Sequence, residues 1–298
     1  METVHRTVLL NEAIDGLNLK EGSIYFDGTL GGAGHLLKVC SDFNGKVRVV
    51  ATDRDEGAIK RAKEKLLKIN CKSDIVNSDY KNIDIVLKNL NIEKVDAILI
   101  DLGLSTDQLI TSGRGFSFKN NEPLLMTFSE KEERVTAEIV VNNWSEENIA
   151  NIIYAYSDEK FSRKIARGIV EARKIKPIKT TYDLVEVISG AVPGFYKRGK
   201  IHFATKTFQA LRICVNDEIT SLKEGMQKGW GFLNKEGRMA IISFHSVEDR
   251  EVKNFFRDMS KEKVGKLINK KPITPSSREV YENPASRSAK LRIIEKIN

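Results

Sequence analysis

The sequence predicts an α/β protein, a doubly wound and mainly parallel sheet interrupted by an all-helical insertion. Three observations carry that expectation. Short apolar runs alternate with helical periodicity through the first hundred residues. A glycine-rich turn follows the first run. From about residue 129 to 224 strand signals fade, and apolar residues recur at helical spacing.

In chain order, Val8, Leu9, Leu10, Ala13 and Ile14 place a short amphipathic helix over residues 7–16. Residues 24–27 form an apolar strand closed by Asp27, and Gly28, Gly31, Gly32 and Gly34 follow as a turn. Glycine admits positive φ and close backbone approach, so the turn is expected to aim N–H groups at a ligand where a helix opens over residues 36–41. A β-branched run over 47–52 ends at Asp53. Ile59, Ala62, Leu66 and Ile69 predict a helix over 56–69, residues 74–76 a short strand, 83–90 a helix and 97–100 a strand ending at Asp101.

Beyond a loop-like stretch over 102–118, Ser129, Ser145 and Ser157 are expected to cap helices, the last a long one presenting Phe161, Ile165, Ile169 and Ala172. Further helices are expected over 182–188 and 207–222, and a strand over 237–244. Residues 265–273 and 291–297 suit closing strands, with an irregular, mobile loop over 274–288 between them. The expected division is a discontinuous domain, 1–110 with 215–298, and a helical insertion over 111–214.

Composition narrows the class. Among 298 residues, 30% are charged and 41% hydrophobic, ordinary values for a globular protein. No apolar run approaches the roughly 18 residues of a membrane span, and residues 1–11 lack the pattern of a signal peptide. A cytoplasmic protein without a membrane partner is expected. Cys40, Cys71 and Cys214 are odd in number and widely spaced, which argues against a disulfide framework or a zinc site. The net charge of +8 suits a nucleic-acid partner.

Four acids fall at or just after successive strand ends: Asp27, Asp53, Asp79 and Asp101. In a doubly wound sheet these ends line one crevice. Asp53 follows the glycine turn at the distance where such folds place an acid on ribose hydroxyls. Tyr80 is placed to pack against an adenine edge.

Several segments together resemble the bacterial 16S ribosomal RNA (cytosine-N4)-methyltransferases. They are HRTVLL from His5, DGTLGGAGH from Asp27, ATDRD from Ala51, IDLGLS from Ile100, RGFSF from Arg114, FQALRICVN from Phe208, SFHSVEDR from Ser243 and RSAKLR from Arg287. The likeness spans nearly the whole chain in family order. It departs at Leu125 and Thr127, where the family has an acid and a base, at Phe203 where it has Pro, and at Thr106 where it has Ser.

The resemblance implies a Rossmann-like methyltransferase sheet with S-adenosylmethionine as donor, no metal, and a cytidine of the 16S rRNA decoding region as acceptor. Carried over by motif, Gly31, Gly32, Ala33, Gly34 and His35 line the methionine end of the donor. Asp53 holds the ribose, Tyr80 the adenosine end, and Asp101 and Gln108 the region of the transferring methyl. The cytosine amino group is a poor nucleophile, so catalysis is expected from positioning and from acceptors for its N–H bonds. Asp101 and Ser105 are the candidate acceptors, and His245 after the fifth strand is a candidate for contacting the base or taking the proton. Glu248, Asp249 and Arg250 are expected to cap or brace the next helix, while Arg114 and Arg212 suit either phosphate or local carboxylates.

For RNA, Arg163, Lys164, Arg167, Arg173, Lys174 and Lys176 form one cationic surface, and Lys270, Lys271, Arg278, Arg287 and Lys290 a second. Phe116 or Phe118 is expected to stack on an extruded base. The expected partner is 16S rRNA or the small ribosomal subunit, and a homodimer stays open. Two rival readings remain: a catalytically impaired RNA-binding assembly factor and, less supported because GxGxxG is absent, a nicotinamide oxidoreductase.

Overall fold

A computed structural model describes residues 7–67, 69–104, 109, 112–128 and 135–298. They divide into two compact units, Met1–Gly103 with Ile219–Asn298, and Leu104–Glu218.

The first unit is built on seven strands: β1 (Ile24–Asp27), β2 (Arg48–Asp53), β3 (Lys72–Asn77), β4 (Val95–Asp101), β5 (Leu233–Ser243), β6 (Gly265–Leu267) and β7 (Lys290–Lys296). Their order is β3-β2-β1-β4-β5-β7-β6. The first five run parallel, whereas β7 lies antiparallel between β5 and β6. The order reverses at β1, with β2 on one side and β4 on the other. Phe26 is in register with both Val50 and Ile98, so the ends of these strands form one edge.

Both faces of the sheet are covered, and this explains why the inner strands read as near-continuous apolar runs. Alternate residues Tyr25, Val49, Ala51, Leu99 and Ile242 pack with helices α1 (Leu10–Leu17), α2 (Gly34–Phe43) and α3 (Glu56–Leu66). The intervening residues Phe26, Val50, Ile98, Ile100 and Ile241 pack on the opposite face with α4 (Ile83–Asn89).

The second unit contains helices α5 (Ala137–Asn143), α6 (Glu146–Ser157), α7 (Ser162–Ile175), α8 (Thr181–Ala191), α9 (Gly194–Lys197) and α10 (Thr205–Asn216). Its core joins Leu124, Val140, Ile149, Ile153, Ile165, Ile169, Leu184 and Leu211. Thr136 and Ser145 cap helix starts by accepting the N–H groups of Ile139 and Asn148, and Thr180 forms a reciprocal capping box with Asp183.

Four expectations are corrected. Ser157 does not open a helix; it ends α6 and its hydroxyl donates to the Ile153 carbonyl at 2.6 Å. The periodic stretch 207–222 is two helices, because Asp217 adopts φ 51° and breaks α10 from α11 (Glu218–Phe232). The loop over 274–288 is not irregular throughout. Following α12 (Ser246–Lys261), it contains α13 (Ser277–Glu282) and a 3-10 turn, and Glu279 accepts the Leu9 N–H at 2.8 Å. Finally, Cys40 and Cys71 are joined as a disulfide, their Cα atoms 5.1 Å apart, leaving Cys214 free. A separation of 31 residues concealed this proximity, which arises because the end of α2 and the entrance to β3 both abut β2. The expected cap at Ser129 lies outside the described residues.

Candidate functional site

The strand ends bring four acids to one edge of the first unit. Asp53, Asp27 and Asp101 are the last residues of β2, β1 and β4, and Asp79 follows β3 by two residues. Pairing of β3 with β2, β2 with β1 and β1 with β4 sets them side by side.

The turn after β1 is held from both sides. Gly31 adopts φ 48° and donates its N–H to Asp53 Oδ2 at 2.8 Å. Asp53 Oδ1 accepts the Asp55 N–H, also at 2.8 Å. Ala33 adopts φ 64°, a conformation that costs an L-residue about 1 kcal/mol, and its complete burial and an N–H bond to the Leu30 carbonyl hold it there.

The four glycines divide by cause. Of them only Gly31 has positive φ. A Cβ on Gly34 would overlap the Thr7 side chain, and one on Gly28 would press on Tyr80 and Ile100. Those two glycines admit neighbouring side chains, which corrects the expectation that all four take positive φ. Tyr80 begins a 3-10 turn and covers Gly28 and Gly225. Asp79 caps that turn and accepts the Ser221 hydroxyl at 3.2 Å.

The electrostatics of the edge are unusual. Asp27 is buried, accepting the Tyr25 hydroxyl at 3.1 Å and the Thr29 N–H at 3.3 Å. Burial pushes its carboxyl up to about 7. Burial also raises Asp53 and Asp101, the latter with help from Asp27 and then Glu248. The Asp101 N–H donates to Thr29 Oγ1 at 2.7 Å, and His35 Nδ1 stands 3.9 Å from Asp101 Oδ2. Asp101 Oδ1 is buried with no hydrogen-bond partner among the described residues. A buried acceptor without a donor is costly, and the donor it lacks is what a ligand N–H would provide.

His245 is the N-cap of α12. Its Nδ1 accepts the Glu248 N–H at 3.3 Å, and its Nε2 stands 3.0 Å from Glu248 Oε1. Nε2 is buried and makes no hydrogen bond among the described residues, so only Nδ1 is engaged in the cap. Glu248 completes the capping box, and Asp249 pairs with Arg292 and Lys290 at 2.7 and 3.1 Å. These acids brace the helix.

Other candidates separate clearly. Ser105 and Gln108 lie outside the described residues. Arg114 is buried, donates to the Phe128 carbonyl and lies over the Phe116 ring. Arg212 forms a bidentate pair with Glu218 at 2.8 and 2.9 Å. Phe116 is buried against Phe128, which leaves Phe118, half-buried and stacked on His202, as the accessible ring of the two. Of the cations, Lys290 is committed to Asp249 and Lys176 pairs with Asp183, whereas Arg163, Lys164 and Lys174 are exposed. Thr29 and Tyr25, which support the two innermost acids, carried no sequence signal; a threonine between glycines reads as turn filler.

No group of three or more His, Cys, Asp or Glu suited to a metal occurs among the described residues, and none of their helices is long and apolar enough to cross a membrane.

A parallel sheet reversing at a glycine turn, with an acid on the next strand end, defines a Rossmann-like nucleoside-binding fold. The chain belongs to the MraW methylase family, whose profile matches residues 2–297. It is a methyltransferase of that family. A protein of Brevibacillus brevis named Ribosomal RNA small subunit methyltransferase H is 42% identical, over 98% of each chain. A protein of the same name from Clostridium botulinum (strain 657 / Type Ba4) is 44% identical over 100% of each. Among solved structures, an rRNA methylase from Streptococcus thermophilus aligns over 99% of both chains at 13% identity and a TM-score of 0.47.

Proposed function

We propose that the chain transfers a methyl group from S-adenosylmethionine to the N4 amino group of a cytidine in the decoding region of 16S rRNA, in the cytoplasm. The observation that carries this reading is Asp101, whose buried Oδ1 lacks a donor among the described residues at the end of β4, in a row of mutually repelling carboxyls. Such a row favours a cationic ligand beside it and an N–H donor in front of it.

The residues present fit the donor. The Gly31–Gly34 turn and His35 would take its methionine end, Asp53 its ribose and Tyr80 its adenosine end. Both Asp53 oxygens accept backbone N–H groups, which orient the carboxylate toward a ribose hydroxyl. When bound, the sulfonium supplies an electrophilic methyl group and a positive charge.

Asp101 accepts an N–H of the cytosine amino group, which localises the nitrogen lone pair and receives the proton as that nitrogen gains positive charge. Thr29 fixes Asp101 through its backbone N–H. His245 acts as a positioning residue through its cap, and Ser105 is a second candidate acceptor. The helical unit supplies the RNA-recognition surface.

Purified protein incubated with labelled S-adenosylmethionine and undermethylated small subunits tests the reading. Labelled N4-methylcytidine in 16S rRNA is the expected product. Donor binding without transfer would instead identify an impaired assembly factor.

A further inference from the structure

In the helical unit a concavity of about 600 Å³ is lined by residues of α8 and of the segment running from α9 towards α10. That volume is in the range of small-molecule sites. Its wall includes Phe118, Tyr182, Glu186, Lys197, His202 and Phe203. Three of these rings stack in series, Phe118 on His202 with centroids 4.5 Å apart and His202 on Phe203 at 4.2 Å. Phe208, from the core, meets Phe118 edge-on at 5.1 Å and anchors the series. Desolvation holds the His202 imidazole below its ordinary value, and its Nδ1 accepts the Ala204 N–H. The middle ring of the stack is therefore neutral and oriented near pH 7.

The chain segment that includes Lys197 of the wall has the opposite character. From residue 194 to 206 the chain carries four cations, Lys197, Arg198, Lys200 and Lys206, and no acid. Beside them Phe195 and Ile201 are 66% and 56% exposed, and Tyr182 in the concavity wall is 50% exposed. Large apolar side chains left bare together mark a surface that meets a partner. Stacked planar rings beside a cationic segment combine what single-stranded nucleic acid needs, a platform for a base and a track for phosphates. Glu186 adds one acceptor, the group that an exocyclic amino hydrogen seeks.

We propose that this concavity seats an unpaired nucleobase of a single-stranded RNA segment, stacked on the Phe118–His202–Phe203 series with its flanking phosphates on Lys197, Arg198 and Lys200. The inference rests on the reading of the chain as an RNA methyltransferase and adds a base-holding subsite to it.

The test uses the full-length protein and a seven-nucleotide oligouridylate RNA with 2-aminopurine at its centre. Stacking quenches that fluorophore, so binding should lower its emission. Phe203→Ala should abolish the quench and raise Kd about tenfold, Phe203→Tyr should keep both, and Lys197→Ala should raise Kd several-fold with the quench intact. Binding of S-adenosylmethionine should be unchanged in all three variants, and an unchanged helical circular dichroism signal and cooperative unfolding should show that the helical unit folds. Binding without quenching overturns the proposal. So does an abasic centre that binds as tightly, an unchanged Kd in both Phe203→Ala and Lys197→Ala, or oligoglutamate displacing the RNA as well as unlabelled RNA does. Methyl transfer by the parent protein to undermethylated subunits is read in parallel. Transfer with no quench overturns only the base seat, whereas a quench lost in Phe203→Ala with no transfer supports the seat and overturns the catalytic reading.

Discussion

Asp53 Oδ2 accepts the Gly31 N–H at 2.8 Å, so the acid ending the second strand holds the turn that follows the first. One carboxylate thus shapes the turn and, in the proposed reading, holds the donor's ribose. Asp53→Ala removes both functions, and Asp53→Asn keeps the shape of the side chain while losing one acceptor. Calorimetric titration with S-adenosylmethionine should show affinity falling at least tenfold in Asp53→Ala and less in Asp53→Asn. An unchanged Kd in both would remove Asp53 from the donor site.

Asp27 yields a prediction in pH. Its folded carboxyl titrates at about 7, against 3.8 ordinarily. Between those values the folded state holds a proton that the unfolded chain has released, so this group's contribution to stability falls as pH rises and then levels off above about 7. The full loss is at most roughly 4 kcal/mol. Denaturant unfolding of Asp27→Asn should therefore gain on the parent protein from pH 4 to 7. A constant difference across that window contradicts the burial argument.

The same titration should reach the ligand. Ionised Asp27 attracts a sulfonium but not the neutral thioether of the demethylated donor. Affinity for S-adenosylmethionine should rise from pH 6 to 8 more steeply than affinity for S-adenosylhomocysteine, and Asp27→Asn should flatten the difference. Equal slopes for the two ligands would show that the acid row does not sense the charge.

Gly34 and Thr7 should behave as a coupled pair. The Cβ of Gly34→Ala overlaps the Thr7 side chain, an overpacking that costs about 1–3 kcal/mol. Thr7→Gly removes every Thr7 atom involved, so the double variant should recover much of the loss in a double-mutant cycle of unfolding free energies. Additive losses would place the strain elsewhere.

Arg212 and Glu218 are both largely buried and joined by two hydrogen bonds. Removing either partner breaks a largely buried bidentate ion pair, at a cost of up to about 3–5 kcal/mol. Arg212→Lys should not restore the loss, because an ammonium cannot reproduce the fork. Chemical denaturation of Arg212→Ala, Glu218→Gln and Arg212→Lys checks this; a near-neutral Lys variant would mean that charge alone suffices.

The sequence by itself determined the alternation of strands and helices, the switch to helical periodicity and the acids at strand ends, because each is written in local spacing and side-chain type. The class of ligand was legible for the same reason, since a glycine turn and an acid one strand later lie close in the chain. Only the tertiary structure decided what those residues touch. Gly34 is small for Thr7, His245 caps a helix through Nδ1, and Cys40 meets Cys71 across 31 residues. Phe116 and Phe118, two positions apart, part company for the same reason: one is buried against Phe128 and the other stacks on His202 at the edge of a concavity. Contacts between residues distant in the chain are set by how the elements pack, and local periodicity does not encode which of two neighbouring rings turns inward.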